Sequence, residues 1–328
     1  MAPATTPIDR LASTIDALGS PVCVGLDPVL ESLPGEVRSH HHEPVAAIAE
    51  FGRRVIDAVA GVVPAVKFQS ACYERFGPAG MSVLDEHIAR ATGRGIFVVL
   101  DAKRGDIGTT SAHYAAAAAR HAGSGGGGGG AGGKGAVTVN AYLGQSGLTP
   151  FLEAGLAIFC LVRTSNPDSD AIQSQRLVDG RTVAEMIADQ VRSLGDGWRG
   201  ACGLSNVGAV VGATKSADAR ALRARMPDQV FLIPGYGAQG GTADDIRAMV
   251  RSGSGRDGVR RLGELGVLVT ASRSVIYAPA HPGEAWDAAV ARAAKQFAAE
   301  VAAVVRPAVS GVFVSAPASM DPRSPSHV

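Results

Sequence analysis

Ile96-Phe-Val-Val-Leu-Asp-Ala-Lys-Arg-Gly-Asp-Ile-Gly-Thr-Thr110 is the stretch from which the fold of this chain follows. Ile96 to Leu100 are apolar without interruption, the pattern of a strand buried on both faces of a parallel sheet. Charge then arrives without a spacer, at Asp101, Lys103, Arg104 and Asp106. Gly108-Thr109-Thr110 follows, and Ser111 to His121 is helix-prone. A buried strand therefore brings two carboxylates and an ammonium to its C-terminal end, at the mouth of a βα loop. Residues two apart share a strand face, so Asp101 and Lys103 are expected to point the same way, with Asp106 aimed by the loop. A short charged cluster is ordinarily a solvated loop with an ion pair. Two features set this one apart. Its charges begin where the apolar run ends, and the chain uses lysine sparingly: Lys67, Lys103, Lys134, Lys215 and Lys295 are the whole set among 31 basic residues. Lysine can give up a proton near neutral pH, and arginine cannot.

Outward from this strand the same pattern recurs. Pro21 to Asp27 is an apolar run ending in a carboxylate, and Pro64 to Gln69 carries Lys67. Ala136 to Asn140, Leu156 to Val162, Gly208 to Thr214, Val230 to Pro234 and a run opening at Gly266 read as further strands. Helical spacing covers Ile8–Leu18, Pro44–Gly61, Ala71–Phe76, Gly80–Thr92, Arg181–Leu194, Ala217–Arg225 and Trp286–Val305. Eight strands separated by helices predict a (β/α)8 TIM barrel, one domain spanning residues 1–306. Gly123 to Gly135, almost all glycine, cannot bury enough apolar surface to offset its ordering entropy. It is expected to be a flexible insertion, since a phosphate loop would have its strand before it and its helix after. Residues 307–328, rich in Pro and Ser, are expected to form a disordered tail.

A net charge of +1 gives no reason to expect nucleic acid or an acidic membrane surface as partner. No apolar stretch approaches the roughly 20 residues of a membrane span. Met1 to Arg10 lacks the pattern of a secretory signal. Cys23, Cys72, Cys160 and Cys202 have no metal-type spacing, so reduced thiols in a cytoplasmic protein are expected. His40-His41-His42 is expected in a solvated connection rather than at a metal. No motif for a cofactor is present, and none is expected.

In a barrel of this type the site lies at the C-terminal ends of the strands. Asp27, Lys67, Asp101, Lys103, Ser165, Gln239 and Arg273 collect there, with Asp106 just beyond. Gly235, Gly237, Gly240 and Gly241 allow backbone amides to approach a ligand, and Arg273 offers a planar fork suited to phosphate.

Asp101-Ala-Lys103-Arg-Gly-Asp106-Ile107-Gly-Thr-Thr110 resembles the signature of the orotidine 5′-phosphate decarboxylase family, of the bacterial type 2-like kind. Gly25-Leu-Asp27-Pro, Val66-Lys67-Phe-Gln, Thr164-Ser165-Asn-Pro, Pro234-Gly-Tyr-Gly-Ala-Gln239-Gly and Ser272-Arg273 extend the resemblance over most of the barrel. The chain departs from the family's pattern at Ala141, where proline is expected, and in the polyglycine and the tail. The resemblance implies decarboxylation of orotidine 5′-phosphate to UMP, without a cofactor. Lys67, Asp101, Lys103 and Asp106 would form the catalytic charge array, with Lys103 protonating a carbanion at C6. Asp27 would hold the ribose hydroxyls, Ile107 would pack on the pyrimidine, and Thr110 would reach the ribose or phosphate region. Ser165 would read the pyrimidine edge, Pro234 would lie in the substrate loop, and Gln239 and Arg273 would grip the phosphate. Asp106, Ile107 and Thr110 would serve the neighbouring subunit's site, which implies a homodimer with shared active sites. Two alternatives stay open: a Mg-dependent sugar-phosphate lyase built on the same barrel, and a nucleotide-binding barrel without catalysis.

Overall fold

Eight short strands, each with a buried apolar run, can satisfy their main chains only against one another, and here they close into a ring. The computed structural model describes residues 5–123, 135–237, 240–253 and 259–306. The strands are β1 (Val22–Leu26), β2 (Ala65–Gln69), β3 (Phe97–Arg104), β4 (Ala136–Val139), β5 (Ala157–Arg163), β6 (Ser205–Val211), β7 (Gln229–Ile233) and β8 (Val267–Ala271). All neighbours pair in parallel and β8 returns to β1, with Cys23 opposite Thr270. Helices between successive strands cover the outside, so the predicted (β/α)8 barrel is the observed fold. Thr6 and Asp9 form a capping box that starts the helix Pro7–Leu18. That helix crosses the N-terminal ends of the strands, where the Ile8 N–H donates to Asn206 Oδ1 at 3.1 Å. One end of the barrel is thus closed, and the other is left for a ligand.

Two sequence expectations are corrected. The sixth strand runs over residues 205–211 rather than 208–214. Its first residues are polar but fully partnered: Ser205 Oγ donates to Gly195 O at 3.0 Å and Asn206 Nδ2 to Trp198 O at 3.0 Å. The strand can therefore begin three residues before its apolar run. Gly35–His40 is a helix rather than an open connection, pinned by the buried Val37 and too short to show helical periodicity. His41 Nε2 lies 2.5 Å from Glu50 Oε2, so that part of the histidine run is paired. β3 runs to Arg104 and so carries Asp101 and Lys103, with Asp106 beyond it, as expected. The polyglycine reading falls almost wholly on residues 124–134, outside the described residues, as does the tail reading for 307–328. All four cysteines are free, and among the described residues no helix is long and apolar enough to cross a membrane.

His87, on the helix Gly77–Gly93, is buried between that helix and Pro44–Val59. Its Nε2 donates to Ala49 O at 3.0 Å, which leaves Nδ1 to accept from the Tyr73 hydroxyl at 3.0 Å. Burial pushes its pKa down to about 4. The folded protein therefore binds this proton later than the unfolded chain, whose histidine titrates near 6.5. The stability this gives is complete above that value and is lost as pH falls toward the folded pKa. Between pH 7 and pH 5 the loss should be about 2 kcal/mol. Urea denaturation at the two pH values should show it in the wild-type chain and not in His87→Gln, and equal losses in both would assign the acid sensitivity elsewhere.

Candidate active site

The open end of the barrel is built from residues at or just past the strand ends. Asp27 follows β1, Lys67 points inward from β2, and Asp101 and Lys103 come from β3. The Asp101 carboxylate is 6% exposed and accepts four hydrogen bonds. Lys67 Nζ and Gln69 Nε2 donate to Oδ2 at 2.7 and 3.2 Å. Lys103 Nζ and Thr138 Oγ1 donate to Oδ1 at 2.7 and 2.8 Å. Lys67 also reaches Asp27 Oδ1 at 3.4 Å, and Ser272 Oγ donates to Asp27 Oδ2 at 2.5 Å. A β-carbon at Gly25 would lie 1.9 Å from Ser272 Oγ, so only glycine there lets that serine approach Asp27.

Charge alternates along this line, carboxylate to ammonium to carboxylate to ammonium. Burial alone would raise the Asp101 pKa, but Lys67 and Lys103 outweigh it and hold it at about 2. Burial likewise disfavours the Lys67 ammonium, yet Asp27 and Asp101 hold its pKa above the ordinary lysine range. Each buried charge thus persists because of its neighbours.

Asp101 and Lys103 do meet, but strand alternation is not what brings them together. Leu100 pairs with Val137 while Arg104 pairs with Val139, so β3 carries two more residues than β4 between these pairs. The surplus bulges at residues 101–103, and Lys103 takes φ +46°, the one positive φ outside glycine among the described residues. A left-handed backbone at a residue with a β-carbon costs on the order of 1–2 kcal/mol, the kind of strain that a surrounding structure must hold in place.

These charges line a cavity of about 710 Å³. Ser165 after β5, Pro234 after β7 and Arg273 after β8 line it as well. Arg273 is exposed, and the loop beyond Pro234 turns through Gly235 and Gly237, at φ +92° and +67°. Gln239 lies outside the described residues. Asp106, Ile107 and Thr110 do not line the cavity of their own barrel. Asp106 Oδ1 instead accepts the Ile107 N–H at 2.8 Å, and the Ile107 side chain is 60% exposed.

Several residues here escaped the sequence. Thr138, Gln69 and Ser272 touch the charge array. Gln173 accepts from the Thr164 N–H at 2.9 Å and donates to its hydroxyl at 2.8 Å, so it shapes the loop that carries Ser165. Arg163, 4% exposed at the end of β5, ties the same loop down through Asp170, Ser169 and Asp218. Gln69 and Ser272 lie within quoted motifs but without a role, and no local pattern marks Thr138, Gln173 or Arg163, because each works through partners that the tertiary structure supplies.

The sequence profile described as orotidine 5′-phosphate decarboxylase / HUMPS family matches residues 20–289, which takes in the whole barrel. The chain belongs to this family. An orotidine 5′-phosphate decarboxylase of Rhodopirellula baltica is 40% identical over 278 residues, 82% of this chain and 87% of that one. One from Clostridium novyi is 35% identical, over 76% of this chain and 84% of its own length. Among solved structures, the OMP decarboxylase of Leishmania donovani superposes with a TM-score of 0.67 at 32% identity, covering 91% of this chain and 98% of the other. The family span includes β1 to β8 and every site residue named above, so the described cavity lies wholly within it.

Proposed function

We propose that this chain decarboxylates orotidine 5′-phosphate to UMP, in pyrimidine nucleotide synthesis, and that the cavity above β1–β3 is where it does so. The observation that carries the proposal is the array Asp27–Lys67–Asp101–Lys103, charged, buried at its centre and open to the cavity at Lys103. Loss of CO2 from C6 of the pyrimidine leaves an electron pair in the ring plane, with no adjacent carbonyl to take it up. Lys103 stabilises that pair as an ammonium and then delivers its proton to C6. One unit-charge contact at about 4 Å and an effective dielectric near 20 supplies roughly 4 kcal/mol. Asp101 faces the departing carboxylate and disfavours it in place, and Lys67 keeps Asp101 ionised. Asp27 takes the ribose hydroxyls, Ser165 the pyrimidine edge, and Pro234, Gln239 and Arg273 the loop around the phosphate.

Asp106, Ile107 and Thr110 act in the site of a second copy, as components of a homodimer. Supporting this, they stand away from their own cavity, and Ile107 is exposed beside the loop that bears Tyr142, 87% exposed, and Leu143, 47% exposed. The two turns approach each other at Gly105–Asn140 and Gly108–Ser146, and exposed apolar side chains gathered on neighbouring turns suit a contact surface. The protein acts in the cytoplasm as a single barrel domain. The test is turnover of orotidine 5′-phosphate, followed by absorbance, with and without EDTA. Full activity in EDTA is expected. Activity that EDTA abolishes would favour the metal-dependent sugar-phosphate lyase, and a chain that binds UMP without turnover would be a silent barrel.

Phosphate binding far from C6 can contribute to the rate as well as to affinity. Arg273→Ala should therefore raise KM by about 100-fold, the loss expected from removing a charge-assisted, two-pronged contact. Orotidine without its phosphate should be turned over slowly by the wild-type chain and faster when phosphite is added. An unchanged KM in the variant would place the phosphate elsewhere.

A further inference from the structure

Between the pairs Leu100–Val137 and Arg104–Val139, Thr138 is the one β4 residue opposite the β3 bulge. The surplus residues leave the Lys103 N–H without a ladder partner on β4. Thr138 Oγ1 accepts that N–H at 2.9 Å and donates its own proton to Asp101 Oδ1 at 2.8 Å. Both directions are forced, because an amide N–H only donates and an ionised carboxylate only accepts. A single hydroxyl, 1% exposed, therefore joins the main chain of one member of the charge array to the side chain of another.

We propose that Thr138 is a positioning residue for decarboxylation: its hydroxyl closes the β3 bulge and so holds the Lys103 ammonium against Asp101 and the reacting carbon. This rests on the reaction proposed above. The strained φ of Lys103 explains why such a tie is needed. Nothing intrinsic favours that backbone, and the hydroxyl is the group that meets the N–H it leaves unpaired. Without it, Lys103 can relax toward an ordinary strand conformation and carry Nζ away from the position it holds here. The groups assigned to ribose and phosphate sit on β1, β7 and β8, across the barrel from Thr138. Losing the tie should therefore slow the chemical step far more than it weakens binding.

Valine has the shape of threonine but can neither donate nor accept, and it suits an apolar strand such as β4. Serine keeps the hydroxyl and loses only the methyl group. The experiment measures kcat, KM and thermal melting for the wild-type chain, Thr138→Val, Thr138→Ser and Thr138→Ala. A displacement of about 1 Å in a reacting group can cost about 100-fold, so kcat should fall by about that factor in Thr138→Val and in Thr138→Ala. KM should stay within about threefold in both, and Thr138→Ser should return to within about fivefold of wild-type kcat. Should the valine chain fail to fold, the alanine and serine chains give the same comparison. The role is overturned if a folded Thr138→Val or Thr138→Ala keeps wild-type kcat. It is overturned equally if Thr138→Ser is as slow as Thr138→Val, since the methyl packing would then matter and not the hydroxyl. A wild-type chain that does not turn over orotidine 5′-phosphate removes the reaction and this role together, whereas a fast valine variant removes this role alone.

Discussion

Lys103→Ala is expected to reduce kcat for orotidine 5′-phosphate by roughly 10⁵-fold or more. Two losses combine. Removing the ammonium beside C6 forfeits roughly 4 kcal/mol of carbanion stabilisation, about 10³ in rate. Removing the proton donor forfeits a further factor of roughly 10²–10⁴. The variant should nevertheless fold, because the Lys103 side chain is 47% exposed and Asp101 keeps Lys67, Gln69 and Thr138 as donors. KM should change little, since the phosphate and ribose contacts are untouched. Arginine at this position should not restore activity, because a guanidinium holds its proton at any working pH. A stopped-flow or long-incubation assay that found Lys103→Ala within 100-fold of wild type would move the proton donor to another residue.

Mixing two inactive homodimers should restore activity. Lys103→Ala lacks the proton donor, and Asp106→Ala lacks the carboxylate proposed to act in the partner's site. In a mixed dimer one site carries both lesions and the other carries neither. At random re-pairing half of the dimers are mixed and each has one intact site of two, so about a quarter of the wild-type activity per site should return. The geometry behind this expectation lies in the turn after β3. The Asp106 carboxylate bonds the next amide in its own chain and does not line its own cavity, while Ile107 projects outward beside it. If subunits demonstrably exchange and the mixture stays at the level of the single variants, Asp106 works within its own subunit and the shared-site arrangement is wrong.

Much of this was legible in the sequence. Uninterrupted apolar runs announced the strands of a parallel barrel, because a strand buried on both faces admits few polar residues. Charges following directly on such runs placed Asp27, Lys67, Asp101 and Lys103 at one end of it, and the structure brings all four to a single cavity. β6 was misplaced by three residues because Ser205 and Asn206 are polar yet buried, satisfied by groups that the sequence does not place beside them. Asp101 and Lys103 meet as expected, but period-two alternation, which describes a regular strand, does not bring them together, because β3 bulges there.

The sequence by itself determined which residues carry charge, which segments must be buried, and in what order they follow one another, since these depend on side-chain chemistry along a single chain. The tertiary structure alone decided the two-residue slip between β3 and β4, the left-handed turn at Lys103, and the placing of Thr138 across from it. It alone brought Ser272 to Asp27 through the space left at Gly25. The physical reason is common to all of them. A hydrogen bond is specified by distances of about 3 Å and by direction, and those are set by the register between strands far apart in the chain, which no local pattern of residues encodes.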